Sequence, residues 1–320
     1  MRLRKPLVIA LLVITPWVGF VAFKAAGVAR ELVDPPFYKP PPLARVEATY
    51  ADLAKGGQGD PGGTWSHVEV SGLQLWTLTR PRPVRGHVLL LHGFGDDRWG
   101  TSPALRWFPD LDASIFTYRR RDDVLRRGGQ TPVTFGALER QEVAAAVRAL
   151  EARGIPRRKL ILAGRSLGAS VALLALADLE REGGPLGGVV WEGAPASSRD
   201  FGQRLVRGAR DRWWHAWIAR PAGTLGSWLA ARRGGYRIVD TEVATTLTGR
   251  RLATPSLTFI ATQDRLAPLE LQRFAASRFN RSQVVEVPTW HIHCAEVLGP
   301  RYGETIRQAY STWLPEHREP

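Results

Sequence analysis

One stretch, KLILAGRSLGASVALLALA at residues 159–177, constrains the fold more than any other. The apolar run at 160–163 reads as a short buried strand, and the alanine-rich segment from Leu167 onward is too long for another strand and reads as a helix. Between them stand Gly164, Arg165, Ser166, Leu167 and Gly168, a G-x-S-x-G spacing. Such a junction is a sharp strand-to-helix turn that holds its serine in a strained backbone conformation, with glycines where side chains would strike neighbouring backbone. The hydroxyl then stands at a helix N-terminus, where partial positive charge favours a developing anion. Serine is also a common helix cap, so these five residues alone leave both uses open.

The remainder of the chain repeats the alternation. Apolar or β-branched runs fall at 67–70, 73–78, 87–91, 114–118, 160–163, 189–191, 256–261 and 284–287, and helix-like patterns at 135–153, 167–181, 269–278 and 302–314. Strands separated by helices predict an α/β fold, a mostly parallel sheet covered on both faces with a ligand crevice at the carboxyl ends of its strands. The first two runs, joined at Ser71-Gly72, predict an antiparallel hairpin at the sheet edge.

The first 30 residues form a separate unit. Arg2, Arg4 and Lys5 precede an uncharged run of 18 residues, Pro6 to Phe23, near the lower limit for a membrane-spanning helix and longer than the apolar part of a typical signal peptide. Basic residues ahead of the run keep that end inside and send the following domain out of the cytoplasm. The expectation is a membrane anchor over 1–30; the alternative is a signal segment, with Gly27 and Ala29 before the cut and a secreted product. Residues 31–63, with DPPFYKPPP and KGGQGDPGG, read as a Pro/Gly-rich linker, and 64–320 as the globular domain.

Length and composition exclude several classes. With 320 residues, 44% of them hydrophobic, the chain can bury a full core. A single cysteine, Cys294, rules out an internal disulfide. The net charge of +14 comes from arginines scattered along the sequence, with no basic helical stripe and no nucleic-acid-binding motif, so nucleic acid is not an expected partner, whereas an anionic membrane surface is compatible. His291, His293 and Cys294 have the spacing of a metal fragment but lack a second ligand cluster, so no metal or other cofactor is expected.

Taken together, these motifs resemble the α/β-hydrolase superfamily, its bacterial esterase/lipase-like and S33-peptidase-like serine hydrolases in particular, over residues 65–314. LLLHGFGDD after the third strand resembles the loop that supplies one oxyanion-hole amide, here Phe94, to join that of Leu167, with His92 as a structural loop residue. TFGALE at 134–139 resembles the T-x-G-x-x-E segment before the nucleophile strand, whereas RRRD at 119–122 departs from the usual Arg-Gly-His-Gly loop. The resemblance implies Ser166 as nucleophile, Asp264 as the acid, with Glu192 as its rival, and a histidine past the last strand as the base. For the base, His291 lies eleven residues before Tyr302, a spacing seen in related hydrolases, and Pro288 forces an early turn; His293 is the alternative. Residues 198–252 stand where the superfamily carries a cap, and Trp213, Trp214 and Trp217 would pack it, line an acyl pocket or meet a membrane. The implied activity is hydrolysis of a small-molecule or lipid ester through an acyl-enzyme. A peptidase or thioesterase using the same residues, and a membrane-tethered binding protein of the same fold, are the alternatives.

Overall fold

The computed structural model describes residues 5–33, 63–81, 84–118, 133–207 and 215–314. Among them an eight-stranded sheet runs in the order β1-β2-β4-β3-β5-β6-β7-β8. β1 (Thr64–Val70) and β2 (Leu73–Thr79) pair antiparallel around Ser71 and Gly72, both at positive φ (52° and 79°), as a two-residue hairpin turn requires. β2 runs antiparallel to β4 (Leu111–Ile115). All later pairings are parallel, through β3 (Gly86–Leu91), β5 (Leu160–Arg165), β6 (Gly188–Glu192), β7 (Ser256–Ala261) and β8 (Ser282–Val287).

Period-two alternation assigns each strand to two cores. Leu160 and Leu162 of β5 face α3 (Glu139–Ala152) and α4 (Leu167–Gly183), while Ile161 and Ala163 join Tyr302, Ile306 and Tyr310 of α10 (Pro300–Trp313). Both faces of the sheet are therefore covered, as the alternation of elements predicts. The fourth strand lies three residues earlier than the run at 114–118. Leu111, Ala113, Ser114 and Ile115 are its buried residues, and Asp112, which breaks the apolar pattern, is held at one carboxylate oxygen by the Arg80 N–H at 2.8 Å.

The expected cap region 198–252 contains α5 (Ser198–Arg207), α6 (His215–Gly234) and the short α7 (Val243–Leu247). The N-terminal segment corrects its expectation. A helix α1 (Lys5–Val33) runs past residue 30, and its second half is part of the globular body: Val21, Ala25, Val28, Leu32 and Val33 are buried. A Cβ at Gly226 of α6 would lie 2.6 Å from the Val28 Cβ and 2.7 Å from the Ala25 carbonyl oxygen, so α1 meets α6 backbone to backbone. The physical reason lies in the residues after Phe23, where the small side chain of the buried Ala25 permits close helix contact while Lys24, Arg30 and Glu31 end the apolar run. Among the described residues no helix is long and apolar enough to cross a membrane. Residues 34–62 of the expected 31–63 linker, the RRRD segment, Trp213 and Trp214 lie outside the described residues.

Candidate active site

The site is built where β5 ends. Ser166 has φ 54° and ψ −125°, a region that side chains other than glycine's rarely adopt. Its backbone N–H donates to the Glu192 carbonyl at 2.9 Å, tying the turn to the neighbouring strand. The flanking glycines are sterically required: a Cβ on Gly164 would sit 2.3 Å from the Gly168 carbonyl oxygen, and one on Gly168 would sit 2.2 Å from that of Leu91. α4 thus begins pressed against the end of β3. The helix-cap alternative for Ser166 is not realised, because its side chain makes no capping bond and instead pairs with a histidine.

That histidine is His291. Its Nε2 is 2.8 Å from the Ser166 Oγ and its Nδ1 is 2.7 Å from Oδ2 of Asp264. Asp264 follows the turn after β7, and its side chain is fully buried. Its other oxygen, Oδ1, accepts the Leu266 N–H at 2.7 Å and the Ala267 N–H at 2.9 Å. These bonds fix the carboxylate in a turn that ends before α8 (Leu269–Ala276), whose N-terminal flank is Pro268, so Asp264 is not that helix's cap. With both carboxylate oxygens occupied and Oδ2 accepting from Nδ1, Nε2 is left to accept a hydrogen bond from the Ser166 hydroxyl.

The two alternatives go elsewhere. His293 lies on the surface, its Nδ1 2.5 Å from Oε2 of Glu296. Glu192 is buried beneath the site and does not reach His291; it bonds to Arg165, Tyr302 and the Cys294 N–H. Burial, and then the Glu192 charge, push the Tyr302 hydroxyl and the Cys294 thiol well above their ordinary ranges, so both stay protonated.

The loop after β3 lies over the serine. The Cβ position of Gly93 is 3.7 Å from the Ser166 Cβ, so this glycine leaves room beside the serine side chain. His92 is buried; its Nε2 accepts the Tyr118 N–H at 3.2 Å, which leaves Nδ1 to donate to the Gly93 carbonyl at 2.9 Å and hold the loop's shape. Phe94 packs its ring against Phe135 at 5.1 Å and Phe201 of α5 at 5.4 Å. Glu139 secures that support by accepting from the Thr134 and Gly136 N–H groups, 2.8 and 2.9 Å, which gives the TFGALE segment a structural use. Leu167 opens α4, where the N–H has no acceptor within the helix.

Two neighbours of the site escape a sequence reading. Gly193 (φ 66°) lies against the imidazole, where an added Cβ would be 3.1 Å from the His291 Cε1, and Arg165 occupies a variable position of the motif. A glycine directly after the strand-ending Glu192 is the only signal for the first; the second has none.

No family model matches the sequence, and no curated protein does. Solved structures do match. An esterase of Pyrococcus furiosus, Pf2001, is 16% identical over 79% of this chain and 94% of its own, with a TM-score of 0.58. An esterase/lipase from an uncultured bacterium is 16% identical over 92% and 97%, with a TM-score of 0.55. A bacterial heroin esterase is 17% identical over 92% and 98%, with a TM-score of 0.59. The sheet order, the junction at Ser166 and these likenesses lead to one statement: the chain has the α/β-hydrolase fold.

Proposed function

We propose that the protein is a serine hydrolase that cleaves carboxylic esters by acyl transfer. The observation that carries this reading is the unbroken hydrogen-bonded chain from the Ser166 Oγ through His291 to the buried Asp264. His291 Nε2 takes the serine proton as Oγ bonds to the ester carbonyl carbon. The backbone N–H groups of Leu167 and Phe94 are assigned to the oxyanion that forms. His291 then returns the proton to the departing alcohol, leaving an acyl-serine. Water adds to that carbonyl, its proton passing to His291 and then to the Ser166 oxygen as the acid is released. Throughout, Asp264 keeps the ring oriented and offsets its charge when Nε2 is protonated.

The likeness to solved esterase structures adds to this reading, and a small-molecule or lipid ester is the proposed substrate class. Labelling with a fluorophosphonate tests it: covalent modification of Ser166 in the folded protein supports the hydrolase, and the absence of labelling favours a noncatalytic binding protein.

The proposal includes contact with a lipid surface. Trp17, Phe20 and Phe23 of α1 are exposed, and so are Trp217, Trp228, Arg220, Arg232 and Arg233 of the adjoining α6, a mixture of aromatic and cationic side chains suited to an anionic interface. Cosedimentation with anionic vesicles that weakens when Trp217 and Trp228 are replaced by serine supports this contact; unaltered binding or none removes it.

A further inference from the structure

Beneath Ser166 and His291 lies a polar cluster that the proposed chemistry does not use. Glu192, at the end of β6, has a side chain only 1% exposed. Its Oε2 accepts from the Arg165 Nε at 3.0 Å and from the Tyr302 hydroxyl at 2.9 Å, and its Oε1 accepts the Cys294 N–H at 3.0 Å. Arg165 donates a second bond, from its terminal nitrogen, to the carbonyl of Ile292, and its guanidinium lies over the Trp107 ring at 5.6 Å.

These bonds converge on a segment with a steric problem. Ile292, directly after His291, has φ 54°, an unfavourable conformation for a β-branched residue, which persists only where the surroundings over-determine it. Arg165 grips the carbonyl of Ile292, and Glu192 grips the N–H of Cys294 two residues on. The same two residues also bracket the serine. Arg165 precedes it in sequence, and the Glu192 main-chain oxygen accepts its N–H. An ion pair with one partner buried is poor evidence for added stability, since desolvation of the buried carboxylate offsets much of the attraction, whereas its directed bonds fix geometry.

Resting on the serine-hydrolase reading, we propose that Arg165 and Glu192 are positioning residues, a clamp that fixes the loop carrying His291 relative to the turn carrying Ser166. Neither touches the reacting atoms. Both act through the placement of the imidazole, and Tyr302 braces the carboxylate from α10.

The test is Glu192→Gln in the full chain, which keeps the side-chain shape and leaves Arg165, 35% exposed, able to reach water. Three measurements are made: the melting curve, the rate of fluorophosphonate labelling, and the strongly downfield proton NMR resonance of a histidine Nδ1–H held by a carboxylate. The expected result is a cooperative melt with labelling slowed ~10- to 100-fold, the loss typical of a small misplacement of a reacting group. The His291 resonance should broaden or vanish, and on any ester the wild type hydrolyses kcat should fall with little change in KM. Wild-type labelling and an unaltered resonance in folded Glu192→Gln would overturn the proposal.

If that variant does not fold, Arg165→Gln and Arg165→Lys carry the test. A lysine can pair with Glu192 but lacks the planar fork that also reaches Ile292, so it should fall between glutamine and arginine. Equal labelling across all three would overturn the clamp. Failure of the wild type to label would instead overturn the hydrolase reading, and the resonance, which needs no substrate, would still decide the clamp.

Discussion

At the carboxyl ends of β5 to β8, position is held by directed bonds: Asp264 accepts from two backbone amides and His291, and Glu192 from Arg165, Tyr302 and Cys294. Around the cap, α1, α5 and α6 meet by fit, with Gly202, Gly223 and Gly226 letting the helices approach where a methyl group would collide, beside a buried bond from the Ser227 hydroxyl to the Ser198 carbonyl at 3.0 Å. Every member of the Ser166–His291–Asp264 chain comes from the first region, and the cap's clearest contribution is the Phe201 ring against Phe94. The contrast implies that chemistry and stability can be perturbed separately. A bond-held region should lose function before it loses its fold, and a fit-held region the reverse.

Five measurements can break or sharpen that contrast. The largest effect belongs to His291→Ala, which should lower turnover of a hydrolysed ester by ~10⁶-fold while the melting temperature stays close to that of the wild type. A parallel fall in both would show that the loop's order depends on the imidazole itself. Asp264→Asn should cost ~10⁴-fold in kcat, because an amide favours the wrong tautomer of His291. Retention of most activity there would place the orienting group elsewhere.

Gly226→Val reverses the pattern. Its side chain must push α1 away from α6, so unfolding free energy should drop by ~1–3 kcal/mol while turnover of a small soluble ester changes little. Lost activity at unchanged stability would mean that the cap is part of the reacting geometry.

A smaller effect concerns pH. His87 of β3 is buried against the Ser114 hydroxyl at 2.8 Å, and burial, followed by the Arg153 charge, lowers its pKa from 6.5 to about 3. The unfolded chain takes up a proton near 6.5 and the folded one does not, so stability rises with pH. The His87 contribution is complete above 6.5 and is lost as pH falls toward 3, by up to ~1.4 kcal/mol per unit. Denaturant titrations from neutral to acidic pH should show a shallower decline for His87→Gln; an identical decline would assign the acid limit to other groups. Last, His293→Ala should leave activity intact and stability within ~0.5 kcal/mol, since its side-chain bond, to Glu296, is exposed. A large loss of turnover would transfer the base from His291 to His293.

What a reader of the sequence could foresee follows the same division. The strands, the glycines around Ser166 and the grouping of Asp264 with His291 are legible, because period-two burial, turn chemistry and residue order are local or ordinal signals. The cap is much less so. Pro221, Gly223 and Gly226 read as helix breakers, yet they sit inside the 20-residue α6, where close packing with α1 and α5 overrides propensity. The same packing draws the N-terminal helix onto the body, a long-range contact that no window of hydropathy contains. Glu192 illustrates a third kind of difficulty. A carboxylate at a strand end faces the crevice in any reading of the pattern, and only the Arg165 and Tyr302 positions reveal that it turns beneath the site.

Position 166 is where folding and chemistry ask for different residues. A backbone at φ 54° and ψ −125° suits glycine, and any other side chain there holds free energy in reserve, ~1–3 kcal/mol for such conformations. A sequence improved for robustness alone would drift to glycine at this position, gain stability and surrender its hydroxyl. Anyone seeking a hardier version of this protein therefore meets one site where the best-scoring substitution is the one to refuse, and must find the gain elsewhere.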